Sequence, residues 1–154
     1  MRKIVWTNTF WGFCIRIIYR IFWIKIKYIP NDEILWRAVY NEKQVKKDGT
    51  LKPAFFRDKN GLSCDLARFS TIEKSRMGHK KPPRWGLHSG LVELDVSTLR
   101  EIGADVQHKP IKKKRENNYA HCQFSSFLAT DLARKLIDNS RIIIKPTFSQ
   151  ESDK

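Results

Sequence analysis

The sequence predicts an α+β protein: a mixed, mostly antiparallel sheet with short helices on one face, preceded by an N-terminal amphipathic helix. Three observations carry this. Short β-rich runs bounded by turn residues recur from residue 34 to residue 146, with brief helical segments between them. The opening thirty residues differ from the rest in being aromatic, basic and free of Asp and Glu. Finally, 154 residues with 41% hydrophobic and 30% charged content suit one globular domain with its own core. The expected organisation is an appendage over 1–30, a domain over 31–146 and a polar tail over 147–154.

Taken in order, the first element is a helix over residues 4–23. At 100° per residue Thr9, Arg16, Arg20 and Lys27 share one narrow face, and nearly all other positions are apolar. A spanning helix is disfavoured. Two central arginines cost roughly 5–7 kcal/mol, against roughly 3–5 returned by nine Ile, Val and Phe residues. Those arginines also interrupt any secretory signal. The pattern suits a helix lying in a membrane interface with Trp6, Trp11 and Trp23 at headgroup level and Arg16 and Arg20 on lipid phosphates. It equally suits an apolar face packed on the domain or on a second subunit. "IKIKYI" (24–29) alternates like a strand.

"ILWRAVY" (34–40) is the first strand of the domain, and Asp48-Gly49 marks a turn. "AFFRD" (54–58) is expected as a short strand, "KNG" (59–61) turns, and "LSCDLARF" (62–69) follows. Ser70 with Glu73 forms a capping box for a helix ending at Gly78. "HKKPPRW" (79–85) is a basic, proline-broken loop. Then comes a strand over 86–96, a helix capped by Ser97 and ended by Gly103, and a return strand, "ADVQH" (104–108). "KPIKKKRENN" (109–118) is expected as a solvated loop before the strand "YAHCQFSSF" (119–127). A helix from Thr130 or Asp131 presents Leu132, Leu136 and Ile137 on one face, and "RIIIKP" (141–146) closes the sheet.

The net charge of +14 favours anionic partners: nucleic acid, phosphorylated ligands or acidic lipid. Its densest run is Lys109, Lys112, Lys113, Lys114 and Arg115. With Lys80, Lys81 and Arg84 it forms a candidate phosphate-binding surface, beside the plainer reading of a solvated loop. No recognition-helix or RNA-binding signature accompanies it. Cys14, Cys64 and Cys122 are scattered and odd in number, so neither a disulfide framework nor a metal site is expected, and no cofactor is implied. A reducing cytoplasm is the expected setting, with a peripheral place at the membrane's inner face as a variant.

Candidate chemistry lies in the strands. By alternation Tyr119, His121, Gln123 and Ser125 share an unusually polar face, able to line a cleft or simply to meet solvent. Pairing His88 with His121, or either with Asp65, permits acid–base chemistry, and Arg37 supplies a cation for a nucleotide phosphate. The leading reading is a binding protein for a phosphate-bearing partner, nucleic acid before other polyanions. The alternatives are a small NAD- or nucleotide-processing enzyme using Arg37, His88 and His121, and a peripheral protein of anionic membranes.

Two resemblances bear on this. "LWRAV", "PAFFRD", "GLSCDLARFST", "VELDVSTLREIGADV" and "NYAHCQF" occur in the order of a strand with Arg, an "aFrd…lSvd" segment and an "N-x-A-H" strand. Over residues 34–145 this resembles a family of small bacterial proteins, some cyanobacterial, and implies the fold without implying an activity. Arg37, with Arg68 and Phe69, is also faintly similar to the "lyR" and "RF" segments of RES-type toxins, which consume NAD. The glycine-rich turn that follows "RF" there is missing here.

Overall fold

The structure, a computed structural model, describes residues 10–58, 61–80, 88–124 and 130–147, with backbone alone for residues 10–12. Helices and an antiparallel sheet make the α+β architecture. Helix α1 (Phe10–Ile21) precedes β1 (Ile34–Val39), β2 (Leu62–Leu66), α2 (Ile72–Met77), β3 (Gly90–Asp95) and α3 (Val96–Glu101). Then follow β4 (Val106–His108), β5 (Ile111–Lys113), β6 (Glu116–Asn118), β7 (His121–Phe124), α4 (Thr130–Asp138) and β8 (Arg141–Ile144). Six strands form one sheet in the order β4-β7-β2-β1-β3-β8, and β5 pairs with β6 in a separate hairpin. Each ladder is antiparallel.

Period-two alternation separates the faces of the sheet. Leu35, Val39, Leu62, Cys64, Leu66, Val92, Leu94, Cys122 and Phe124 belong to one buried cluster. Between them along the strands stand Trp36, Asp65, Glu93 and His121, which the register places side by side: Trp36 opposite both Glu93 and Asp65, and Asp65 opposite His121. Glu93 in turn faces Arg141. A polar row therefore crosses five strands. Ser75 of α2 reaches Asp65, so α2 roofs this polar face.

Several local expectations are corrected. Residues 24–29 form no strand. Trp23, at φ 53°, ends α1 in the left-handed region, and its ring packs on the core. Ile26 and Ile29 are then only 6% and 2% exposed. Side chains replace a ladder there: Ile26 N–H donates to His108 Nδ1 (2.9 Å) and Tyr119 O–H donates to the Ile24 carbonyl (2.7 Å). The expected domain boundary at residue 30 therefore cuts through the packing, since residues 23–29 supply core. Of the helix expected over 4–23, residues 10–21 are helical and 1–9 lie outside the described residues.

"PAFF" (53–56) is a 3-10 turn: Pro53 favours a helical start, and the turn buries the neighbours Phe55 and Phe56. Thr71, not Ser70, caps α2 by accepting from Lys74 N–H, and Gly78 ends it at φ 85°. Helix α3 starts two residues early, after Asp95, and the Glu33 and Asn31 carbonyls accept the N–H groups of Val96 and Ser97. The loop expected over 109–118 is the β5–β6 hairpin, with Asn117 and Asn118 in β6. Tyr119 leaves the polar face assigned to it and joins the core, edge-on to Trp23, Phe69 and His108. Ser125 and most of the 79–85 loop lie outside the described residues.

Candidate functional site

Over the polar row lies a cleft of about 280 Å3, walled by β1, β2, His121 of β7, the end of α2 and the base of the hairpin. Asp65 is its hub. One carboxylate oxygen accepts from Asn118 Nδ2 (2.7 Å), the other from Ser75 Oγ (2.7 Å) and His79 Nε2 (2.8 Å). Burial alone raises the pKa of this carboxyl. The hydrogen bond and charge of His79, followed by the Asn118 and Ser75 bonds, outweigh it and hold Asp65 below the usual range.

The sequence-predicted residues are only partly brought together. Arg37, Asp65 and His121 line the cleft, with Lys80. His88 does not; it is exposed and bonded through Nδ1 to Thr147 Oγ1 (3.2 Å), on the far side of β3's start. His79 takes the place expected of His88. His79 follows the Gly78 stop of α2, and it reaches Asp65 beside Ser75 only because α2 packs over β2.

Acid–base and nucleotide chemistry gain little from this geometry. Ser70 Oγ and Asp65 both contact the same ring nitrogen, Nε2, of His79, whereas nucleophile activation needs hydroxyl and carboxylate on opposite nitrogens. Arg37 is committed to the Ser63 and Phe55 carbonyls (2.7 and 3.2 Å) and lies over the Phe55 ring. Arg68 pairs with buried Glu33, whose pKa burial raises despite that partner. A cleft of about 280 Å3 also falls below the roughly 300–1,000 Å3 of ordinary ligand sites, too small for a dinucleotide. Among the described residues no group of three or more His, Cys, Asp or Glu could hold a metal ion.

The second candidate is a surface. Tyr19 and Trp23 pack one side of α1 and its end on the core. The opposite arc leaves Phe13 (54%), Ile17, Ile18, Ile21 (64%), Phe22 (70%) and Ile24 exposed. Arg16 is half-buried and Arg20, one turn on, is exposed. Packing on the domain thus uses one arc of the helix and leaves the other exposed. The hairpin brings the densest charge here: Lys112 Nζ lies 5.4 Å from the Trp23 ring centroid, and Lys113, Lys114 and Arg115 are exposed beside it in sequence. Lys109 bonds Gln123 (2.7 Å) and Lys80 approaches Glu116 (3.7 Å), so these two serve other contacts. Trp6, Lys81 and Arg84 lie outside the described residues, as does the side chain of Trp11. Among the described residues no helix is long and apolar enough to cross a membrane.

Comparison with protein-family models, with curated proteins and with solved structures finds no match.

Proposed function

We propose that this protein docks peripherally on anionic membrane surfaces through α1, the 22–28 segment and the β5–β6 hairpin. The observation carrying this is the exposed apolar arc from Phe13 to Ile24, bordered by Arg20, Lys25 and Lys27 and joined to the basic hairpin by the Lys112–Trp23 contact. Six large apolar side chains at these exposures make a patch of several hundred Å2, the scale at which exposed patches tend to be functional. Inserted Ile and Phe side chains contribute about 0.3–0.6 kcal/mol each, so the arc alone binds weakly. Each Lys or Arg near an anionic surface adds about 1 kcal/mol, and seven exposed cations border the arc or extend the hairpin. Charge therefore dominates, and binding should need acidic lipid.

The same cations would attract nucleic acid. What favours lipid is the aliphatic content, since isoleucine has no π-face on which a base can stack. Flotation of the full chain with phosphatidylserine-containing vesicles, with neutral phosphatidylcholine vesicles, and alongside labelled single-stranded RNA and DNA tests the choice. Capture by acidic vesicles and release by salt is the expected result. Tighter binding to RNA or DNA that survives substitution of the arc would instead restore the nucleic-acid reading.

A further inference from the structure

Two hydrogen-bonding roles in the cleft are dictated by partners that can act in only one way. Asp65 only accepts, so the amide atom of Asn118 facing it must be Nδ2. That leaves Asn118 Oδ1 as an acceptor, buried and without a hydrogen-bond partner among the described residues, on a side chain that lines the cleft and is 4% exposed. The Lys109 carbonyl likewise only accepts, so His121 Nδ1 carries the proton of the 2.6 Å bond between them. In the neutral ring Nε2 then presents a lone pair.

Around these acceptors the lining is unlike the rest of the molecule. Asp58, Asp65 and Glu116 line the cleft, and among the described residues its cations are Arg37, bonded to two carbonyls, and Lys80, 3.7 Å from Glu116. Trp36 and Tyr40 add aromatic faces. In a protein of net charge +14 this is a local acceptor-rich, acidic pocket.

We propose that the cleft binds a small primary ammonium ion, donating to Asn118 Oδ1, His121 Nε2 and the Glu116 carboxylate. Three N–H donors match three acceptors of fixed role, and the ring faces favour a cation over a neutral donor. The volume, nearly twice that of a cavity of about 150 Å3 that holds benzene, admits a small alkyl- or arylammonium. The cleft shares the base of the β5–β6 hairpin with the docking surface but uses none of the exposed arc of α1, so its test is independent of vesicle binding.

The test is titration of the full-length protein with ethylammonium chloride at about pH 8, where the alkylammonium is charged, following the ring signals of His121 by NMR. Ethanol and sodium acetate serve as neutral and anionic comparisons. Saturating shifts with ethylammonium in the millimolar range are expected, the affinity open to so few heavy atoms. Glu116→Gln and Asn118→Leu should each weaken binding about tenfold or more, the effect of losing one charged or buried partner. If Asn118→Leu fails to fold for want of its bond to Asp65, Glu116→Gln, at the cleft's wetter edge, decides alone. The proposal is overturned by no saturable shift with ethylammonium, by equal shifts with ethanol, which would mark a water site, by preference for acetate, or by wild-type affinity in Glu116→Gln.

Discussion

Lys112, in the turn-proximal half of a basic hairpin, sits over the indole of Trp23, the residue that ends the N-terminal helix. The contact ties the most charged stretch of the chain to its most apolar one. In the sequence these are distant; on the surface they adjoin, and the docking reading rests on that adjacency.

Ile21 and Phe22 are the two most exposed side chains of the arc, so substituting them should separate docking from folding. Ile21→Asp with Phe22→Asp is expected to leave the unfolding free energy, measured in urea, within about 0.5 kcal/mol of wild type per site, as exposed positions do. Capture by acidic vesicles should fall more than tenfold. A large loss of stability in this variant would place the arc in the core instead.

Ile29 should behave in the opposite way. It is 2% exposed within the main core cluster, and Ile29→Ala is expected to cost about 2–5 kcal/mol, measured by urea unfolding. Truncation of residues 1–29 should be worse, since it also removes Ile26 and strips His108 of the Ile26 N–H.

Acid should loosen the same segment. His108 is buried, accepts at Nδ1 from Ile26 N–H and donates at Nε2 to the Tyr119 carbonyl (2.6 Å), a bonding pattern of the neutral ring. Burial, reinforced by the charges of His121 and Lys25, depresses its pKa below the ordinary 6.5, although the Tyr119 bond works the other way. The unfolded chain therefore takes up the proton first as pH falls. This stability is complete above about pH 6.5 and is lost as pH descends toward the folded value. Glu33, raised above 4.5 by burial, has the opposite sign and gains stability on protonation. Urea midpoints measured between pH 8 and pH 5 should decline for wild type and flatten in His108→Gln, which keeps a donor and an acceptor but does not titrate.

Asp65 should prove structural. Removing the buried carboxylate leaves Asn118 Nδ2 unsatisfied and Ser75 and His79 with Ser70 alone, and Asp65→Ala is expected to destabilise by about 3–5 kcal/mol. A double-mutant cycle with His79→Ala should return a coupling of about 0.5–3 kcal/mol. Additivity would show that the Asp65–His79 contact contributes nothing.

The thiols offer a direct reading of the core. Cys64 and Cys122 face each other across β2 and β7, and burial pushes the Cys64 thiol to about 12 and the Cys122 thiol well above its ordinary value. A thiol reagent should label Cys14 alone in the native protein and all three cysteines in urea.

Much of this fold is legible where the physical cause is local. Alternation over "ILWRAV", the Asp48-Gly49 turn closed by Thr50, the stops at Gly78 and Gly103, and the helix from Thr130 each depend on contacts within a few residues. Arg37, Asp65 and His121 stand out in sequence as polar residues in apolar strands, and all three reach one cleft. Residues 24–29 look like a strand until His108 and Tyr119 claim their backbone, and 109–118 looks like a loop until β5 and β6 pair. Tyr119 follows the core rather than its alternation, and His79 meets Asp65 only because β2 and α2 pack together. Periodicity and capping act over one or two turns of chain, so they can be read from the residues themselves. A register across strands or a seat on a remote side chain draws its energy from two segments at once, and neither segment carries that information alone.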